Sequence, residues 1–577
     1  FFNGRAQIVH PEIEPFVAAT QGQKALLEPI YSSTEKLKSR GLNGKQIGKL
    51  TQTLFQQISS NDLPENLPSH LLINRMSRWE AFRQVHFPTS PEMYKKALDR
   101  LIFEELFIAQ LRINLIKIQR HKNSRGHLFE KVGDYFNDFY NKYLPFELTG
   151  AQKRVIKEIR LDTAKGKQMN RLLQGDVGSG KTIVAFISML LAIDNGTQAC
   201  LMAPTEILAD QHYQGLKQFA DLLGLTIAKL TGSVKKKDRV GLHEDLQSGK
   251  LQILVGTHAL FEDSVQFKNL GMCIIDEQHR FGVAQRAKLW DKNKTFHPHI
   301  LVMTATPIPR TLAMTLYGDL DISIINELPV GRKPIQTTHR YDSHRLQVFG
   351  FIQNELSKGR QIYIVYPLIE ESEKMDFKDL MDGYESISRA FPEVPLGILH
   401  GKMKSADKDI EMARFVKNET KIMVATTVIE VGVNVPNASI MIIESAERFG
   451  LSQLHQLRGR VGRGGEKSYC ILMTDYTLSK EAKKRMETMV ETTDGFKIAE
   501  VDLALRGPGD LMGTQQSGTL NLKLADLSRD QSLVEMARKT AVNVYTEDPA
   551  LRLPIHEALR SYMLSVFQNK PQWDKIA

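Results

Sequence analysis

The stretch Met169-Asn170-Arg171-Leu172-Leu173-Gln174-Gly175-Asp176-Val177-Gly178-Ser179-Gly180-Lys181-Thr182-Ile183 decides the fold. Gly175, Gly180, Lys181 and Thr182 fill the pattern G-x-x-x-x-G-K-[ST]. Arg171 to Gln174 reads as a strand entering a tight turn. The apolar run from Thr182 through Phe186 reads as the helix leaving it. Strand, glycine-rich loop and helix are the context in which this pattern cradles a phosphate chain. Gly175, Gly178 and Gly180 carry no Cβ, so the backbone can bend and turn its N–H groups inward toward an anion. The helix N-terminus adds partial positive charge. Lys181 then reaches the β- and γ-phosphates of a bound nucleotide, and the Thr182 hydroxyl ligates Mg²⁺. Asp176, Val177 and Ser179 complete the candidate nucleotide-binding loop. A chance glycine-rich turn is the competing reading, and the flanking strand and helix disfavour it.

Outward from this loop the chain is organised in blocks. From about Asn141, short strands alternate with helices, the pattern of parallel α/β units. Candidate strands are Ala199 to Ala203, Gln252 to Gly256, Met272 to Asp276 and Ile300 to Thr304. Their apolar character suits strands buried on both faces. Pro329-Val330-Gly331-Arg332-Lys333-Pro334 reads as a linker. Beyond it lies a second series: Gln361 to Tyr366, Leu396 to His400, Lys421 to Ala425, Ile440 to Ile443 and Tyr469 to Met473. The fold class expected is therefore α/β, two parallel-sheet lobes joined by a Pro/Gly hinge with a cleft between them.

A helical segment precedes the lobes and a helical, charged segment follows them. Before the lobes, Leu98, Ile102, Leu106, Ala109, Ile113 and Ile116 recur at spacings of three and four and predict one apolar helix face. Arg100, Arg112, Lys117, Arg120 and Lys122 make that segment basic; a solvated face is the expected reading and a DNA contact the minority one. After about residue 478 the chain passes through Leu505-Arg506-Gly507-Pro508-Gly509 into a helical tail. The domain boundaries expected are 1–19, 20–140, 141–330, 331–478 and 479–577.

Composition narrows the class. The 577 residues suffice for three or four domains. With 42% hydrophobic and 25% charged residues the chain reads as soluble and globular. No apolar run approaches the roughly 20 residues that span a membrane. The start, Phe1-Phe2-Asn3-Gly4-Arg5, is no signal peptide and reads as a chain beginning inside a larger protein. Cys200, Cys273 and Cys470 sit in separate apolar runs, as buried thiols of a reducing compartment do, with no metal or disulfide framework. A net charge of +10 favours a polyanionic partner.

Three further constellations carry chemistry. Met272-Cys273-Ile274-Ile275-Asp276-Glu277-Gln278-His279 is an apolar strand ending in two carboxylates. At the carboxyl edge of an α/β sheet, Asp276 would hold Mg²⁺ and Glu277 would act as general base on the attacking water. Thr304-Ala305-Thr306 ends the next apolar strand, and its hydroxyls are candidates for linking the phosphate site to the second lobe. Gln456-Leu457-Arg458-Gly459-Arg460-Val461-Gly462-Arg463-Gly464-Gly465 concentrates three Arg and four Gly. Guanidinium forks suit phosphate oxygens, and an Arg brought across the cleft onto the γ-phosphate is an arginine finger, worth roughly 10³–10⁵ in rate. A nucleic-acid-binding loop without a catalytic role is the rival reading. A finger of this kind makes hydrolysis depend on lobe closure.

These stretches resemble motifs I, II, III and VI of superfamily 2 helicases, which implies two tandem RecA-like domains. Leu144-Pro145-Phe146-Glu147-Leu148-Thr149-Gly150-Ala151-Gln152 is similar to the adenine-recognising segment of that superfamily, which implies base contacts from Phe146 and Gln152. Ala203-Pro204-Thr205-Glu206 resembles motif Ia and Gly256-Thr257-His258 motif Ic, which implies that Pro204, Thr205, Thr257 and His258 meet the DNA backbone. Thr426 and Thr427 lie in a stretch similar to motif V, where Asn434 replaces a more usual Asp. Thr304, Thr306 and Gln456 belong to the coupling set that the resemblance implies.

Asp502 to Gly518, with Arg506 and Gln516, closely resembles the post-helicase segment of the RecG family, with Gln515 where an Arg is expected. A related segment occurs in the Mfd family. Phe351 to Glu371, with Tyr366 to Ser372, and Val9 to Glu14 also look like RecG, and the latter implies that most of an OB-fold wedge lies upstream of Phe1. The family implies an ATP- and Mg²⁺-dependent translocase on branched double-stranded DNA, at replication forks and Holliday junctions. Catalytic roles fall to Lys181, Asp276, Glu277, Arg460 and Arg463. The chain would act as a monomer in the bacterial cytoplasm at the nucleoid, with no membrane partner and with single-stranded DNA-binding protein as a further partner. The alternatives are an Mfd-like translocase acting on RNA polymerase and a nucleotide-regulated DNA-binding scaffold. A small-molecule kinase would use the loop but has no need of the second lobe.

Overall fold

The computed structural model describes residues 29–568 apart from 124, 278–291, 293–295, 307–319, 330–332, 368–372, 427–434, 463, 465, 511–521 and 528. The described chain divides into two compact units. One gathers the residues up to 109 with 522–525 and the stretch from 536; the other gathers 110–510 and 526–535.

The larger unit holds two parallel sheets. The first contains β1 (Asn170–Gly175), β2 (Gln198–Met202), β3 (Ile227–Leu230), β4 (Ile253–Gly256), β5 (Leu270–Asp276), β6 (His299–Thr304) and β7 (Asp321–Ile325), in the order β3-β4-β2-β5-β6-β1-β7. The second contains β8 (Gln336–Tyr341), β9 (Gln361–Val365), β10 (Leu396–Leu399), β11 (Ile422–Ala425), β12 (Ala438–Ile443) and β13 (Tyr469–Thr474), in the order β10-β11-β9-β12-β13-β8. This is the tandem RecA-like, α/β architecture.

Successive strand residues point to opposite faces, and here both faces are covered. In the first sheet Leu173, Leu201, Ile274 and Met303 join one buried cluster, while Leu172, Met202, Ile275 and Val302 join the other. In the second, Tyr363, Met423 and Ile443 face one core and Ile362, Val424 and Ile442 the opposite one. Cys200 and Cys273, far apart in sequence, lie in register on β2 and β5 with their sulfurs 3.1 Å apart; these thiols and Cys470 are free and buried.

The smaller unit is helical, and it corrects one expectation. The Pro91–Asn123 helix carries more than a single apolar stripe, because Ala97, Leu101, Ile102, Phe103, Leu106 and Phe107 are all buried. Arg100 is not on a solvated face. It is 1% exposed and donates to Glu65 (2.6 Å), Glu104 (2.7 Å) and the Met76 carbonyl (3.1 Å). Two carboxylates compensate the burial of its charge, the condition under which an Arg enters a core. On the same helix Glu105 accepts the successive backbone N–H groups of Lys523, Leu524 and Ala525.

Near the end of this unit Asp548 fixes a turn by accepting from His556 Nδ1 at 2.9 Å and from the Leu553 N–H at 2.8 Å. Burial alone would raise its carboxyl, but the His556 bond and the backbone donors outweigh it and hold the group at about 2. A depressed carboxylate stabilises the fold at pH values above its unfolded value and loses that contribution as pH falls through the folded one. The lead in Tm of the wild type over Asp548→Asn is therefore expected to be constant above pH about 5, to shrink as pH falls and to be lost below pH about 2. Melting curves at stepped pH check this; a lead that grows on acidification contradicts it.

Candidate active site

β1, β6 and β5 are neighbours, with Gln174 paired to Thr304 and Asp276 to Met303. Their carboxyl ends therefore bring the glycine-rich loop, Thr304-Ala305-Thr306 and Asp276-Glu277 to one sheet edge, where α/β sheets bind ligands. The loop leads into the Lys181–Asp194 helix, whose residues Ile183 to Ile193 are all buried. That packing explains how a helix N-terminus is held rigidly at the site.

The loop is shaped by glycine where the backbone demands it. Gly180 has φ +84°, and a Cβ there would come 2.2 Å from Gln152 Nε2. Gln152 is fully buried. Its Nε2 donates to the Ser179 carbonyl at 2.8 Å, and its Oε1 accepts from the Thr149 N–H at 2.9 Å in a capping box. The amide assigned by resemblance to the base is thus spent in this structure on bracing the loop. Phe146 is 42% exposed and lines the cleft. Lys181 Nζ donates to the carbonyls of Gly175 (2.7 Å) and Asp176 (3.0 Å).

The carboxylates differ in environment. Asp276 accepts from His212 Nε2 at 2.7 Å and from the Glu277 N–H at 3.0 Å. Burial pushes its carboxyl up, but the His212 bond and charge, with Lys181, bring it net below the ordinary value. Glu277 is raised, by burial first and by the Asp276 charge second, against the pull of Lys181 and Arg460. A carboxyl raised toward neutrality is a better proton acceptor at working pH. Glu277 also has φ +53°, a strained value of the kind stored at functional sites. His212 was missed from sequence: its partner lies 64 positions away, and a lone His in a helix carries no local signal.

The second lobe faces this edge. A cleft of about 1090 Å³ is lined by Phe146, Lys181, Thr182, Asp276, Glu277 and Arg460, with residues of both lobes around them. Arg460 is 6% exposed and acts on Glu277 electrostatically. A Cβ added at Gly459 would come 3.0 Å from that of Val177, so the arginine-rich stretch lies directly on the phosphate loop. Arg463 lies outside the described residues, as do Thr427, Asn434, Gln515 and Gln516. Arg506 falls in the last turns of the Gly495–Asp510 helix, its side chain likewise outside the described part.

Among the DNA-contact candidates the structure makes distinctions. Thr205 caps the Glu206–Leu222 helix, accepting from the Leu208 N–H at 3.3 Å, and Pro204 beside it is half-buried. His258 is exposed, but Thr257 and Thr426 are each 2% exposed. Their hydroxyls sit inside their lobes, just past the ends of β4 and β11. Thr304 and Thr306 bond each other, Oγ1 to Oγ1 at 2.6 Å, which stiffens the turn at the end of β6. Gln456 is half-buried on the Leu451–Arg458 helix.

Comparisons with known proteins agree with this geometry. Residues 149–315 match the DEAD/DEAH box helicase family, 346–465 the helicase conserved C-terminal domain, and 492–577 the C-terminal part of domain 3 of the ATP-dependent DNA helicase RecG. The chain is 47% identical over 528 residues to the ATP-dependent DNA helicase RecG of Synechocystis, covering 91% of this chain and 62% of that protein. The Bacillus subtilis RecG is 45% identical over 541 residues, covering 93% and 78%. The Escherichia coli K12 RecG is 43% identical over 557 residues, covering 94% and 79%. A solved structure of RecG bound to a three-way DNA junction superposes with a TM-score of 0.69 at 40% identity, covering 88% of this chain and 66% of that one. With the nucleotide loop, the paired carboxylates and Arg460 around one cleft, the chain belongs to the RecG family of superfamily 2 ATP-dependent DNA helicases.

Proposed function

We propose that this chain is an ATP-driven translocase on double-stranded DNA that remodels branched molecules, reversing forks and migrating Holliday junctions. The observation that carries the reading is the single cleft lined by Lys181, Thr182, Asp276 and Glu277 of one lobe and Arg460 of the other. Both halves are needed to enclose a triphosphate, so hydrolysis is tied to the relative position of the lobes. Branched DNA as the substrate rests on the family and on the junction-bound RecG.

The donors suit Mg²⁺. The Thr182 hydroxyl and the Asp276 carboxylate are hard oxygen ligands at one cleft, and Mg²⁺ is commonly held by one or two such groups together with substrate phosphates. When bound it neutralises charge on the phosphates. Glu277 accepts the proton of the attacking water, Lys181 and the loop N–H groups orient the triphosphate, and Arg460 stabilises charge developing on the γ-phosphate. Arg463 is proposed as a second finger, and Pro204, Thr205, His258 and Gln456 as the DNA-facing or coupling set, with the hairpin from Lys480 transmitting the stroke.

One chain supplies both halves of the site, which supports a monomer. Cytoplasmic placement at the nucleoid and a single-stranded DNA-binding protein as partner rest on family likeness alone. No described helix is long and apolar enough to cross a membrane.

A motor that moves over any sequence must grip phosphate, and phosphate contacts make binding salt-dependent. Three-way junction DNA is expected to stimulate phosphate release over linear duplex. Its affinity should fall by roughly 10³ or more between 50 and 200 mM salt, as six to ten phosphate contacts imply. No phosphate release, with or without DNA, would fit the regulated-scaffold alternative instead.

A further inference from the structure

We propose that Asp176 and His455 form a positioning latch that ties the phosphate-binding loop to the arginine-bearing helix and to the helical hairpin that follows the second lobe. This rests on the motor reading above and deepens it.

Asp176 is the second residue of the loop. Its backbone carbonyl holds Lys181 Nζ at 3.0 Å, while its carboxylate leaves the loop for the other lobe. One carboxylate oxygen accepts from His455 Nε2 at 2.7 Å and the other from the Gly495 N–H at 3.3 Å. Gly495 opens the Gly495–Asp510 helix, so the negative charge sits at a helix N-terminus where it is favoured.

The ring orientation of His455 is fixed by its other neighbour. Arg458 Nη2 lies 2.9 Å from His455 Nδ1. A guanidinium has donors only, so Nδ1 must present its lone pair. Nε2 therefore carries a proton, and that proton points at Asp176. Arg458 is 2% exposed, and its Nη1 donates to the carbonyls of Met489 and Thr492, each at 2.9 Å. Ser452 of the same helix donates to Asp502 at 2.8 Å. An unbroken series of hydrogen bonds thus runs from the loop through Asp176, His455 and Arg458 to the Lys480–Glu491 helix. A parallel bond runs from Asp176 to the start of the next helix. Arg460 follows two residues beyond Arg458, so any slack at His455 displaces the finger.

Such a latch acts on the geometry of the closed cleft and leaves the triphosphate contacts of Lys181 and the loop N–H groups in place. It should be read in kcat and not in KM. His455→Ala, Asp176→Ala and the double variant are compared for hydrolysis of MgATP with three-way junction DNA. Each single change is expected to lower the DNA-stimulated kcat about tenfold with KM for ATP within about twofold. The double variant should lose clearly less than the product of the two single losses, because the Asp176–His455 bond is already gone in each single variant. His455→Gln, whose amide can donate to Asp176 from nearly the Nε2 position, should recover most of the rate, and it covers the case in which an Ala variant fails to fold.

Losses that multiply in the double variant, a KM that rises in step with the fall in kcat, or a Gln variant no better than Ala each overturn the latch. Wild-type protein and Lys181→Ala run alongside separate the two ideas. Wild-type hydrolysis that DNA does not stimulate sinks the motor. Stimulated hydrolysis that these substitutions leave untouched sinks only the latch.

Discussion

Lys181→Ala is expected to lower the DNA-stimulated rate of ATP hydrolysis by about 10³ or more. The ammonium is the one formal positive charge contributed by the loop. It works beside N–H donors that carry only partial charge. In a cleft shielded from water a fixed donor aimed at developing charge is worth about 10²–10³. The fold should tolerate the change, since Lys181 donates to two backbone carbonyls of its own loop and is not in the core. Phosphate release with saturating junction DNA measures the rate, and a thermal melt within a few degrees of the wild type shows that the protein is intact. A variant rate within tenfold of the wild type would contradict the assignment of Lys181 and the motor built on it.

The interior strands could be read from the chain because they are covered on both sides. The stretches expected at Met272 to Asp276 and Ile300 to Thr304 are β5 and β6 to within two residues, as are those at β9 and β11. The three strands that escaped the reading, β3, β7 and β8, are all sheet edges. An edge strand needs less apolar character, and Gln336-Thr337-Thr338-His339-Arg340-Tyr341 has little, so hydrophobicity cannot announce it. The buried Arg100 escaped for a related reason. Composition marks it as a charge, and only the fold brings Glu65 across to meet it. At the site, residues whose chemistry is local to a motif, such as Lys181 and Glu277, were legible. The partners that tune them were not. His212 meets Asp276 across 64 positions and His455 meets Asp176 across 279, and neither pairing leaves any mark on its own neighbourhood in the sequence.

Arg460→Ala should cost between about 10³ and 10⁵ in the DNA-stimulated kcat, while ATP binding weakens far less. Arg460 belongs to the second lobe yet lines the cleft with Lys181 and Glu277. Its charge reaches Glu277 and, on the proposed mechanism, the γ-phosphate as that group separates. An interaction made mainly in the transition state appears in kcat, whereas one made equally with bound ATP would appear in KM. Arg460→Lys separates charge from shape. A lysine keeps the positive charge but offers a compact ammonium where the guanidinium presents a planar fork to two oxygens. Most of the loss should therefore persist in the Lys variant. Single-turnover hydrolysis with and without junction DNA reads the chemical step directly. If the Ala variant loses rate only through a weaker affinity for DNA, so that saturating DNA restores it, then Arg460 grips the nucleic acid and the rival reading of the arginine-rich stretch is correct. If saturating DNA restores nothing, the cleft needs its second lobe for chemistry, and cleavage of the triphosphate is coupled to the movement of that lobe.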